Sequence, residues 1–197
     1  MTGPSTLQAM WVHGTAVRPT HPGGAGLEGE NGYRLTQVNG KPWTDITGLA
    51  YSTEMIFEAD ANNANDFVFS IPSPVWRAAP KAIEESRAVL LSAFVLYDAD
   101  PGVHVQTVTL TDGARPFVDS RGNPIGSFNV SQGGGSSFPT SIVNGKTKWT
   151  IDRDPFVAGS TPGAPIFFGL SIQVHVSWTL HGQLRFTAAG ADFLVQS

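Results

Sequence analysis

The sequence predicts an all-β protein, an antiparallel β-sandwich of jelly-roll type with about 8–10 strands. Three observations carry this. Short stretches with apolar residues at every second position recur along the chain, each bounded by Gly, Pro, Asn or Asp. The composition is rich in turn formers, with 22 Gly and 14 Pro, and only 14% of residues are charged, below the usual quarter or so. Apolar residues at helical spacing are almost absent.

Taken in order, the candidate strands are 8–17, 33–38, 51–58, 66–71, 88–97, 103–111, 128–131, 146–151, 166–180 and 183–188. The clearest is "LSIQVHVSWTL". In it Leu170, Ile172, Val174, Val176, Trp178 and Leu180 share one face, and Gln173, His175, Ser177 and Thr179 the other. "LHGQL" follows, where His181-Gly182 reads as a tight turn joining two strands in a hairpin. In "VHVQTVTL" the apolar positions are 103 and 105, then 108 and 110. That change of parity predicts a β-bulge at Gln106-Thr107. "PKAIEESRA", 80–88, is the single helical candidate and opens at a proline. "SQGGGSSFPTS", 131–141, reads as a surface loop. It lacks the strand, helix and Lys-Ser/Thr ending of a phosphate cradle. No composition shift marks a boundary, so residues 1–197 read as one domain, long enough to bury roughly 70% of its unfolded surface.

Several functions are disfavoured. There is no cysteine, hence no disulfide, thiolate metal site or cysteine nucleophile. Twelve Lys plus Arg stand against sixteen Asp plus Glu without a basic cluster, which leaves no footprint for nucleic acid or an anionic membrane. The N-terminus has neither a basic nor a continuous apolar region of a signal, and no apolar run approaches a membrane span. A soluble chain is expected, with its compartment open. Asn129-Val130-Ser131 matches a glycosylation pattern too short to carry weight.

Candidate chemistry concentrates in "FEADANNAND". Simple antiparallel connections bring the loop after 51–58 and the loop after 88–97 to the same end of the fold. Glu58, Asp60, Asp66, Asp98 and Asp100 would then crowd one rim. Asp60, Asn62, Asp66, Asp98 and Asp100 are the candidate calcium ligands, since calcium takes six to eight oxygens of these types. The stretch lacks the glycine and glutamate of an EF-hand loop, and Asp and Asn equally cap turns by bonding their own backbone. No other cofactor is indicated. A hydrolase would draw its carboxylates from Glu54, Glu58, Asp60, Asp66, Asp98 or Asp100. The five histidines, at 13, 21, 104, 175 and 181, show no metal-ligand spacing, although His104 and His175 occupy similar Val-His-Val words that could neighbour one another. No catalytic triad is specified, because no G-x-S-x-G elbow is present. Trp43, Trp76 and Trp149, near turns, could stack on sugar rings; Trp11 and Trp178 read as strand residues.

Residues 88–97 are apolar on both faces, with Val89, Leu91, Ala93, Val95 and Tyr97 on one and Leu90, Phe94 and Leu96 on the other. Both faces need cover, from the protein's own segments or from a second subunit. The expected role is therefore a non-catalytic binding or assembly module that forms a homo-oligomer. The alternatives are a calcium-assisted, lectin-like carbohydrate-binding domain and a hydrolase using the rim carboxylates. Partners under these readings are a second copy, a glycan or another protein.

Three places, Trp11-Val12-His13-Gly14, Phe67 to Pro74 ("FVFSIPSP") and Ala188 to Phe193 ("AAGADF"), together resemble a group of small bacterial all-β proteins of unknown function. The resemblance implies a single all-β domain and a bacterial source. It transfers no site residue. Read from the residues alone, Pro72 and Pro74 stop a strand and Gly190 permits a bend before the final "DFLV".

Overall fold

Alternation of buried and exposed residues builds fifteen strands in the computed structural model, which describes residues 5–19, 32–38, 41–51, 53–74, 88–117, 126–130, 140–143, 145–151 and 164–196. They are β1 (Ser5–His13), β2 (Arg18–Pro19), β3 (Gly32–Val38), β4 (Lys41–Tyr51), β5 (Glu54–Ala59), β6 (Asn63–Ile71), β7 (Val89–Ala99) and β8 (Val103–Asp112). Then come β9 (Arg115–Pro116), β10 (Ser127–Asn129), β11 (Thr140–Val143), β12 (Lys146–Ile151), β13 (Ala164–Pro165), β14 (Leu170–Trp178) and β15 (Gly182–Gln196). A 3-10 turn at Gly14–Ala16 is the one helical element among the described residues, and none of their helices is long and apolar enough to cross a membrane.

Among the described residues every strand pair is antiparallel, so the all-β reading holds. The larger sheet runs β11-β12-β7-β15-β5-β4-β3, with β1 added on β15 and β13 on β7. The smaller runs β10-β8-β14-β6-β2, with β9 on β8. β5 and β1 share one flank of the long strand β15, β5 along Gly182 to Phe186 and β1 along Ala188 to Gln196. Gly14 closes the junction, where a Cβ would overlap the carbonyl oxygen of Phe186.

The sheets face each other through aromatic rings. Phe57 and Phe186 of the larger sheet meet Phe67 and Phe69 of the smaller, with centroids 4.4 Å apart for Phe57–Phe67, 5.3 Å for Phe67–Phe186 and 5.2 Å for Phe69–Phe186. These rings and Trp178 are fully buried. Each contributes about 1.5–3 kcal/mol by leaving water, and the tilted and edge-on geometries suit the ring quadrupoles.

Three bulges set the parity of β8, β15 and β7. Thr107 faces His175 and Val105 faces Val176, so Gln106 is the extra residue of β8, where the sequence predicts it. Its carbonyl accepts from Val130 N at 2.8 Å and its side-chain amide donates to Ser177 Oγ at 2.8 Å. Thr187 is extra on β15 and Leu91 on β7. The second of these corrects the faces assigned to 88–97: Leu90, Ala93, Val95 and Tyr97 line the core, whereas Ser92, Phe94 and Leu96 point outward.

Other expectations are also corrected. His181-Gly182 does not close a hairpin, because β14 lies in the smaller sheet and β15 in the larger. The chain crosses between sheets at Thr179 to His181. Its backbone there bonds to other loops, Thr179 N to Gly102 O at 2.7 Å and Asn62 N to Trp178 O at 2.7 Å. Gly190 ends no strand; β15 continues through it to Gln196. The strand expected at 66–71 starts three residues earlier, at Asn63, and the strand expected at 183–188 extends to Gln196. β4 and β11 lie where no strand was expected, apart from Tyr51. The predicted helix over 80–88 lies outside the described residues except for Ala88, which precedes β7, and so does the glycine-rich run 131–139.

Candidate functional site

β15 carries two acidic turns to one rim. Its residues Gly182 and Gln183 pair with Ala59 and Glu58 on one side, while Leu184 and Arg185 pair with Ala99 and Asp98 on the other. Glu58, Asp60, Asp98 and Asp100 therefore lie at the same end. Asp66 does not join them: it sits within β6 on the outer face of the smaller sheet, opposite His175, and its Oδ1 is 2.8 Å from His175 Nδ1. The turn is confined to Asp60–Asn62, where Asn62 takes a positive φ of 66°. Asn65, from the same stretch, points inward, with 3% exposure and a side-chain nitrogen that has no hydrogen-bond partner among the described residues.

At the rim each carboxylate meets a donor of this chain. His181 stands between two of them, Nδ1 3.0 Å from Asp60 Oδ1 and Nε2 3.4 Å from Glu58 Oε1. Gln183 donates its side-chain amide to Glu58 Oε2 at 2.7 Å and its backbone N–H to Asp100 Oδ2 at 2.9 Å, and accepts from Arg185 at 2.9 Å. Lys146 lies 3.3 Å from Glu54 and 3.7 Å from Asp98. Such pairs, largely open to solvent, each contribute little to stability. Their effect is to tie the turns at 60–62 and 100–102 to the start of β15. Among the described residues, no group of three or more His, Asp or Glu side chains is placed to hold a metal ion.

The histidines are dispersed. His104 and His175 are on neighbouring strands but not opposite one another: His104 faces Ser177 and His175 faces Thr107. His104 Nε2 is instead 3.4 Å from Thr179 Oγ1. His21 and Trp76 lie outside the described residues, and Trp43 and Trp149 fall within β4 and β12 rather than in turns. Trp178 is a core residue whose indole N–H donates to Gly182 O at 3.1 Å.

What sequence periodicity did not reveal is the outer face of the larger sheet beside the rim. Cross-strand rows place Leu96, Ala188 and His13 side by side, then Phe94, Gly190 and Trp11, then Ser92, Asp192 and Ala9, then Val89, Leu194 and Leu7. Leu7 is 62% exposed and Trp11 56%. One polar pair interrupts this face, Ser92 Oγ donating to Asp192 Oδ2 at 2.6 Å. The sequence marks 8–17 as a strand and Trp11 as a strand residue, but not which residues of β15 and β7 lie beside them.

No family model matches the chain, and none of the curated proteins compared with it does. Among solved structures, the enzymatically active domain of tailspike protein 4 from bacteriophage CBA120 is similar over 94% of this chain at 13% identity, with a TM-score of 0.35. The chain spans 19% of that protein's length.

Proposed function

We propose that the protein is a non-catalytic assembly module that self-associates through the outer face of its larger sheet. The observation that supports this is the continuity of exposed Leu7 and Trp11 on β1 with Leu194 of β15 and Phe94 and Leu96 of β7. A contiguous apolar surface over three strands is costly to leave in water and is uncommon on monomers. The partner is a second copy. A two-fold contact would set each apolar face on its like, and removing one Trp or Leu side chain from water contributes about 1.5–3 kcal/mol. The hydrogen-bonded Ser92–Asp192 pair would sit within the contact and penalise misaligned registers.

Light scattering over a concentration series tests this. A discrete oligomer that dissociates on dilution, and that Trp11→Glu and Leu7→Glu reduce to monomer with unchanged circular dichroism, is the expected result. A strictly monomeric wild type at high concentration would overturn it.

A second reading, a calcium-assisted carbohydrate-binding rim, draws on Glu58, Asp60, Asp98 and Asp100 lying at the same end of the fold, and it requires the two turns to close further on an ion, since no three of these groups are placed to hold one. It also requires calcium to displace His181 from Asp60. A melting temperature that climbs with added calcium supports it by mass action, and no shift at millimolar calcium excludes it.

A further inference from the structure

The end of the smaller sheet remote from the acidic rim carries a feature that neither reading uses. The turn before β14 exposes two adjacent rings, Phe167 at 53% and Phe168 at 64%. Their centroids are 6.4 Å apart and their planes differ by 33°, so they form a shallow, nearly continuous platform. A buried carboxylate holds it: Asp112, 6% exposed, accepts the backbone N–H of Phe167 on Oδ2 at 2.9 Å and those of Phe168 and Gly169 on Oδ1 at 2.7 and 3.0 Å. Gly113 N donates to Gly169 O at 2.6 Å, and both glycines take positive φ, 58° and 113°. The Arg115 guanidinium lies 4.9 Å from the Phe168 centroid and pins that ring. A turn fixed this firmly presents its apolar side chains outward instead of folding them into the core.

Beside the platform is an open cleft of about 340 Å³ lined by Ser70, Ser73, Pro74, Phe167, Phe168 and Ser171 among others. Ser73 is occupied, accepting from Leu170 N at 3.0 Å. Ser70 and Ser171 stand opposite each other across β6 and β14, and their hydroxyls bond no other described residue. One wall is therefore aromatic and another carries free hydroxyls.

We infer that this cleft is a saccharide subsite, in which a pyranose lays its C–H face on Phe167 and Phe168 and turns its hydroxyl edge to Ser70 and Ser171. A fatty acid or other wholly apolar ligand would need an enclosed apolar cavity, whereas this cleft is open and hydroxyl-lined. The flat ring with one apolar face and one polar edge matches both walls.

A glycan array probed with the wild type in calcium-free buffer, and with Phe168→Ala, Ser171→Ala and Asp60→Asn, tests the inference. Asp60 lies at the far end of β14, about 26 Å away. The expected result is retention of at least one glycan by the wild type and by Asp60→Asn, weakened about tenfold in Phe168→Ala and measurably in Ser171→Ala. No retained glycan overturns the inference, as does equal retention by Phe168→Ala. Retention that needs calcium and is lost in Asp60→Asn would place the sugar at the rim and overturn it too. Loss of self-association in Phe168→Ala without glycan binding would assign the rings to a subunit contact, again overturning it.

Discussion

The ring of Phe94 lies so close over Gly190 that a Cβ built there would come 2.7 Å from Cε1 of the ring. The same Cβ would come 2.7 Å from the carbonyl oxygen of Met10 on β1. Gly190 is thus a close-approach glycine, and it lets an outward-facing aromatic lie down on the sheet. Gly190→Ala should lift the ring and strain the β1 ladder, destabilising the fold by about 1–3 kcal/mol. Urea denaturation would read this as a lower midpoint at unchanged slope. Adding Phe94→Ala should recover only part of the loss, since the contact with Met10 O remains.

The bulge at Gln106 separates two effects that a single substitution would blur. Gln106→Ala removes the bond to Ser177 but keeps the extra residue, and should cost about 0.5–1.5 kcal/mol. Deleting Gln106 reverses the parity of Val103, His104 and Val105, placing both valines outside and the histidine in the core. Each valine loses about 1.5–3 kcal/mol of burial, so the deletion should abolish cooperative unfolding or lower its midpoint far more than the substitution does. Equal effects of the two changes would contradict this register.

This bulge also shows what the sequence could disclose. Parity is a local property, and a strand with one buried face must spend an extra residue wherever its alternation flips; Gln106 was legible for that reason. The convergence of Asp98 and Asp100 with Glu58 and Asp60 followed from counting strand directions. The crossing at Thr179 to His181 was not legible, because a glycine after a short polar break looks the same whether the next strand pairs with its predecessor or enters the other sheet. Asn62 to Asn65 misled by composition: three asparagines read as part of one loop, although Asn63 and Asn65 belong to β6 and Asn65 points inward. The role of Asp112 carried no local signal, since its partners are 55 to 57 positions away.

Those distant partners make Asp112 a stability determinant. Asp112→Ala strands three backbone donors and should cost about 2–4 kcal/mol. Asp112→Asn keeps one carbonyl oxygen, which can retain Phe168 and Gly169 while losing Phe167, so its cost should be smaller. Amide hydrogen exchange at 167–169 checks the assignment. Exchange should accelerate at all three positions in the alanine variant and chiefly at Phe167 in the asparagine variant.

Tyr97 predicts how the fold responds to alkali. It lies on the core face of β7 with 7% exposure, and burial pushes its phenol up to about 12. An unfolded chain loses this proton near its ordinary value of about 10. Between those values the unfolded state is ionised while the folded state still binds the proton, so stability from this group is complete below pH about 10 and falls as pH rises toward about 12. The full loss is about 2–3 kcal/mol. Tyr97→Phe has no proton to lose, and other titrating groups act alike in both proteins. The difference between wild-type and variant urea midpoints should therefore be constant from pH 7 to about 9.5 and then move in the variant's favour. A difference that stays flat to pH 12 would mean that the phenol ionises as easily in the folded protein as in the unfolded chain.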